Sequence, residues 1–319
     1  MTEFSSLFGD RIAGFLDYRV AHGFKRDTWL RHFIKFDRWC AESNPAQEEL
    51  SRDFVHCWID TDITSTFDLS QRVSAMRQFA KYLCAIGEDA YVLPEKYAQM
   101  KSYASAYIFT DAEMTALFAA IDQLPSTKNE PFFDVIAPPM FRMIYTCGLR
   151  PNEGREILTE NMNLKTGEIL ITHTKRNKER LVVMSDDMLA FARQYESRRK
   201  IICNGSPYFF PSANGEALTA QTIYSAFNRA WSHADLAGKY PGKVRVYDLR
   251  HRFASACLNR WLDQGENLMA LLPFLRAYMG HSTLTETAYY IHILPENLMK
   301  SPAIDWDKFN SMFPEVMEE

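Results

Sequence analysis

Four separated stretches of the chain each carry a side chain suited to a phosphate group. They are Gly148-Leu149-Arg150-Pro151-Asn152-Glu153, Thr174-Lys175, Tyr247-Asp248-Leu249-Arg250-His251, and Gly280-His281 with Tyr290 nine residues further on. Guanidinium is planar, always charged and able to donate two parallel hydrogen bonds to phosphate oxygens, so Arg150 and Arg250 are suited to hold one, and lysine would replace neither well. A lysine titrates when desolvated and can then give up a proton. A tyrosine can attack phosphorus, but a free phenol has a pKa near ~10 and needs a base or a cluster of cations to ionise at neutral pH. Breaking a phosphodiester through a protein nucleophile calls for an attacking oxygen, two or more cations and a proton donor for the leaving oxygen, and this set supplies all three. Taken singly, each residue also has a plainer reading. Arg150 could simply pair with Glu153, Lys175 could belong to an exposed basic surface with Arg176, Lys178 and Arg180, His281 could pack at a helix start, and Tyr289 and Tyr290 could be core aromatics.

In this order, with about 25 residues from Arg150 to Lys175 and nine from His281 to Tyr290, the segments resemble the tyrosine recombinase (phage integrase) family over residues 108 to about 300. The helical stretch before them looks like that family's core-binding domain. The resemblance implies an enzyme that cuts and rejoins double-stranded DNA without a metal or nucleotide cofactor, through a 3′-phosphotyrosine. It also implies self-association as a tetramer on DNA, exchanging strands through a Holliday junction, with any accessory proteins left unnamed. The catalytic roles it implies are Arg150 and Arg250 on the scissile phosphate, Lys175 as general acid with Lys178 as a competing candidate, His281 beside the arginines, and Tyr290 as nucleophile. Tyr289, one residue earlier on a helix, would point about 100° away.

One position departs from the family pattern: Tyr247 stands where a histidine is usual, three residues before the second arginine. A phenol can donate a hydrogen bond to phosphate, but it is no base near pH 7. Either proton handling falls to His251, His281 or His292, or catalysis is slow or lost. Three functions follow: a site-specific recombinase serving integration, excision or resolution of a mobile element or replicon; a catalytically impaired DNA-binding accessory subunit; or a relaxing enzyme of the type IB topoisomerase kind. The small helical front domain favours the first.

The elements that must position these groups can be read from periodicity. Residues 5–93 read as successive helices, with apolar faces such as Trp29, Phe33, Phe36, Trp39 and Cys40, and then Phe67, Leu69, Val73, Met76, Phe79, Leu83 and Cys84, ending near Gly87. Thr110 and Glu113 form a capping box that opens a new helix, and Thr283 and Glu286 form another. Between Gly167 and Met184 two β-branched runs, 169–172 and 180–183, flank Lys175-Arg176-Asn177-Lys178-Glu179, which predicts a hairpin with a basic tip. Helical pattern returns over 189–199 and 219–231, with Asp186-Asp187 starting the first of these. The expected fold is mainly α with a small β-hairpin: a helical core-binding, DNA-clamping domain over 1–105 and a mixed catalytic domain over 106–319. Its tail, 305–319, spaces Trp306, Phe309, Met312 and Phe313 on one helical face, to dock either on a neighbouring protomer or on its own domain.

Composition limits the alternatives. The 319 residues are 47% hydrophobic and 24% charged, which suits a chain with a buried core rather than a disordered one. A formal net charge of −4 gives no overall attraction to a polyanion, so such a site must be local. Residues 239–260 hold six Lys and Arg against one acid, Asp248, a patch suited to a polyanion. Apolar runs are too short to cross a bilayer and the first ten residues lack a signal-peptide pattern, which points to a cytoplasmic, nucleoid-associated protein. The six cysteines are scattered singly and read as reduced core residues.

Overall fold

A computed structural model describes residues 4–24, 26–97, 106–172, 179–203, 205–238 and 243–292. The chain separates into two compact units, Met1–Tyr103 and Ala104–Glu319. The fold is mainly helical with one small antiparallel sheet.

The first unit carries α1 (Gly9–Ala21), α2 (Asp27–Ser43), α3 (Arg52–Asp60) and α4 (Thr66–Ala85). Ser51 and Ser65 cap α3 and α4 by accepting from the backbone N–H groups of Phe54 and Asp68. The helices meet through Phe8, Phe15, Phe33, Phe36 and Phe79, each buried, whose rings mostly pack tilted or edge to face. The apolar faces expected for α2 and α4 supply this core, except that Phe67 and Cys84 lie exposed.

The second unit begins with α5 (Asp111–Asp122), opened by the reciprocal Thr110–Glu113 capping box. Next come α6 (Phe133–Thr146) and α7 (Pro151–Arg155), then β1 (Met162–Asn163), β2 (Glu168–Ile171) and β3 (Arg180–Val183). The strands run β1-β2-β3, all antiparallel, with Ile169 opposite Val182 and Ile171 opposite Arg180. Alternation turns Ile169, Ile171 and Val182 into the core and Leu170, Leu181 and Val183 outward. β1 extends the expected hairpin to three strands; at two residues it is too short to show a period.

Helices α8 (Asp186–Ile202), α9 (Ala220–His233), α10 (Asp248–Asp263), α11 (Leu268–Met279) and α12 (Leu284–His292) complete the unit. Helix α6 lies in the middle of the core, burying Ile136, Ala137, Met140, Phe141, Met143 and Ile144. A smaller cluster joins α10, α11 and α12 through Leu258, Leu268, Leu272, Leu275, Met279 and Tyr290. At the start of α12, Thr283 accepts from the Glu286 N–H, while the Glu286 carboxylate takes the N–H of Ser282.

Two expectations need correction. The cysteines are all unpaired, but only Cys40 and Cys147 are buried; Cys57 and Cys84 are exposed, because both fall on the outer faces of their helices. Nor do the basic residues of 239–260 all lie in one exposed patch. Arg250 is fully buried, Arg245 pairs with the buried Asp248 and Arg252 pairs with the exposed Asp111, while Lys243 and Arg260 stay exposed. Lys239 and the tail 305–319 lie outside the described residues. No described helix is long and apolar enough to cross a membrane.

Candidate active site

The end of α11 organises the site. Gly280 follows the helix in the left-handed conformation (φ 66°, ψ 43°), and the His281 N–H bonds back to the Arg276 carbonyl at 3.0 Å, a helix-ending turn that favours glycine. The last carbonyls of a helix lack partners within it and carry the negative end of its dipole. Three of them each accept from a different arginine. Tyr278 accepts from Arg180 Nε at 2.8 Å, Met279 from Arg250 Nη2 at 2.6 Å and Gly280 from Arg150 Nη2 at 2.9 Å.

Arg150 sits at the N-cap of α7, with Pro151 as the first helical residue, where its fixed φ suits a helix start. Glu153 folds back on it: one oxygen accepts from the Arg150 backbone N–H at 2.8 Å, the other from Nη1 at 2.7 Å. Burial lowers the Arg150 pKa, but Glu153 and then the phenol of Tyr247 outweigh it and hold it above the ordinary arginine value. The pairing expected of Arg150 and Glu153 is therefore present, and Arg150 also reaches the Gly280 carbonyl.

Arg250 projects from the first turn of α10 and is fully buried. Besides Met279 it donates to the Gly148 carbonyl at 2.6 Å and lies 2.9 Å from His281 Nε2. Burial and then Arg150 push its pKa down, partly offset by Tyr247 and Tyr290. Gly148 allows the close approach: its φ is +59°, and a Cβ there would stand 2.3 Å from the Phe253 ring.

His281 is pressed down to about 3, by burial first and then by Arg250, Arg150 and Arg180. It is neutral at pH 7. Its Nε2 therefore accepts from Arg250, and its Nδ1–H donates to Thr287 Oγ1 at 2.8 Å, which fixes the tautomer from the bonding pattern. His251 is lowered to about 4 by burial, Arg245 and Arg250. Its Nδ1 is buried with no partner among the described residues.

Tyr290 is 2% exposed, and its ring stacks on His281 with centroids 5.8 Å apart and lies 5.4 Å from His251. Burial raises its pKa to about 12 against the pull of Arg250 and Arg150, so the phenol is protonated at neutral pH. Tyr289 is 39% exposed, and its ring is 6.0 Å from that of Tyr290. Tyr247 precedes α10, its ring 5.0 Å from His251.

Of the six residues proposed from sequence, the structure brings together Arg150, Tyr247, Arg250, His281 and Tyr290. Lys175 lies outside the described residues, as does its competitor Lys178, and the side chain of His292 is not described. Sequence reasoning passed over Arg180 as one of several basic hairpin residues. Its signal was the strand period: it shares a phase with inward Val182, where an arginine must find a buried partner. Thr287, fully buried behind His281, was missed as well. A separate open groove of about 660 Å³, lined by Asn161, Leu170, Leu181 and Phe209 among others, contains none of these site residues.

Residues 108–297 match the Phage integrase family. A Sinorhizobium fredii protein named as integrase/recombinase y4rE is 26% identical over 298 residues, covering 91% of this chain and 93% of its own. Tyrosine recombinase XerD of Pseudomonas putida is 32% identical over 164 residues, 50% of this chain and 51% of its own. Two solved structures share the fold at 16% identity. The XerH site-specific recombinase bound to palindromic difH substrate, in a post-cleavage complex, has a TM-score of 0.63 over 88% of this chain and 80% of its own. A lambda integrase (75-356) dimer bound to a COC′ core site has a TM-score of 0.60 over 87% and 96%.

Proposed function

The chain belongs to the phage integrase family, the tyrosine recombinases, and from that premise we propose that its arginine-rich pocket is the centre at which one DNA phosphodiester is cut and rejoined. The protein is a site-specific DNA recombinase, an enzyme that breaks and rejoins strands. Double-stranded DNA is its substrate, in keeping with the XerH and lambda integrase structures, which hold DNA sites.

The observation that carries this reading is the convergence, from three distant parts of the chain, of Arg150, Arg250 and a buried phenol at residue 290 around the end of α11. The Tyr290 oxygen attacks phosphorus as its proton passes to water, a 3′-phosphotyrosine forms, and the bond to the 5′-oxygen breaks. The freed 5′-hydroxyl, or that of a partner strand, reverses the step. Arg150 and Arg250 neutralise the charge that builds on the non-bridging oxygens. Lys175 protonates the leaving oxygen. His281, neutral and bonded to Arg250, orients that guanidinium rather than acting as a strong base. Tyr247 offers its hydroxyl beside Arg150, in place of the imidazole more usual in the family. The unit 1–103 serves as the second arm of a clamp on the duplex, and four protomers assemble on two duplexes.

The test uses a pool of nicked duplexes with random sequence, from which covalent protein–DNA adducts are recovered under denaturing conditions. Wild type and Tyr289→Phe give adducts with a 3′-phosphotyrosine; Tyr290→Phe gives none. Absence of an adduct with wild type leaves a DNA-binding accessory subunit. Strand exchange between two labelled duplexes bearing the recovered site separates recombination from relaxation of a single duplex. The DNA flanking the gene, read for terminal repeats or an attachment site, tells an element's own enzyme from one that maintains a replicon.

A further inference from the structure

Among the described residues that meet at the end of α11, the roles assigned above leave the cation of Arg180 without a task. Arg180, its side chain 8% exposed, gives Nη1 and Nη2 to the two oxygens of Glu153 at 2.9 and 2.7 Å, and its Nε to the Tyr278 carbonyl. Glu153 accepts two further bonds from Arg150, so its carboxylate holds four donors. Burial opposes ionisation of Glu153, but Arg180 and Arg150 outweigh it and hold the pKa at about 2. The carboxylate is therefore charged at neutral pH.

A carboxylate facing Arg150 alone would cancel its charge, which is the charge the scissile phosphate needs. Shared between two guanidiniums, the same carboxylate leaves one positive charge over. We propose that Arg180 is a positioning residue for strand cleavage: by taking up Glu153 it keeps the charge of Arg150 available to the phosphate and fixes Arg150 against the end of α11. The backbone agrees with this arrangement, because a Cβ at Gly280 would come within 3.1 Å of the Arg180 Cδ and Nη1 atoms. The inference rests on the reading of Arg150 as a phosphate ligand, and the experiment separates the two.

On the duplex recovered by adduct selection, the scissile phosphate is compared with a methylphosphonate, which replaces one charged non-bridging oxygen by a methyl group. The ratio of the two single-turnover cleavage rates within one preparation of full-length protein does not depend on how much of it is folded. Arg180→Gln loses at least about tenfold more rate on the phosphate than on the methylphosphonate, as Arg150→Gln does, whereas Arg180→Lys keeps the wild-type ratio. The double variant Glu153→Gln/Arg180→Gln, which removes the anion together with its partner, returns the ratio toward wild type. Equal losses on both substrates for Arg180→Gln, beside a selective loss for Arg150→Gln, overturn the proposal and leave the reading of Arg150 in place. Equal losses for Arg150→Gln overturn both. Failure of the double variant to restore the ratio overturns the charge argument even where Arg180→Gln yields little folded protein.

Discussion

Histidines 251 and 281 sit among arginines without being cations themselves, and this has a measurable cost. Both are neutral in the folded protein, with pKa values of about 4 and about 3, whereas an unfolded histidine titrates near ~6.5. Between these values the unfolded chain binds more protons than the folded one, so stability rises with pH and is lost as pH falls from ~6.5. Each histidine accounts for about 2 kcal/mol lost between pH 6.5 and 5. The melting temperature should drop over that window, and His281→Gln should flatten the slope; a melting temperature independent of pH would contradict the buried, neutral state. Tyr247 offers a second check. Removing its hydroxyl in Tyr247→Phe, with Arg150 left in place, should slow adduct formation by roughly tenfold to a hundredfold at saturating DNA. Tyr247→His, which restores a donor, should recover most of that loss. An unchanged rate in Tyr247→Phe would place the phenol outside the chemistry.

At the scale of elements, the site is built where helices end. Helix α6 ends two residues before Gly148, α7 begins just after Arg150, α10 begins just after Tyr247 and α11 ends just before Gly280. Helix ends leave backbone carbonyls and N–H groups without intrahelical partners, and here the carbonyls of Gly148, Tyr278, Met279 and Gly280 fix three long, otherwise mobile guanidiniums. The turn at Gly148 should therefore be sensitive to the smallest added group. Gly148→Ala places a methyl 2.3 Å from the Phe253 ring in a left-handed conformation, and should cost about 2 kcal/mol or more in thermal or urea denaturation. Ala at Gly238, whose φ is also positive but where a Cβ meets nothing within 4 Å, should cost only the conformational part, about 1 kcal/mol. Equal effects of the two substitutions would show that the packing at Phe253 is looser than described.

Across the whole molecule, each unit carries its own apolar core: the phenylalanine-rich cluster of residues 8–93, and the two clusters of residues 109–290. A cavity in one should then leave the other standing. Phe33→Ala, at a fully buried ring, should remove about 3–5 kcal/mol from the first unit, and calorimetry should show one transition moved down and the other in place. A single transition moving as a whole would show that the units unfold together. Much of this architecture was legible in the sequence, because helical and strand periods and capping residues are local. The Thr110 box, the Ser65-capped helix α4 and the strands at Ile169 and Val182 form from neighbours a few residues apart. The chemical types in the site were legible too, since a phosphate asks for guanidinium and a nucleophile asks for an oxygen. Three things were not. The neutrality of His251 and His281 comes from burial beside arginines distant in the chain. The inward turn of the basic stretch around Arg250 comes from acceptors on other elements. The place of Arg180 comes from a strand brought against α7 and α11. Period and residue type are properties of a segment, whereas desolvation and partner choice depend on what the rest of the chain packs against it, and only the tertiary structure decides that.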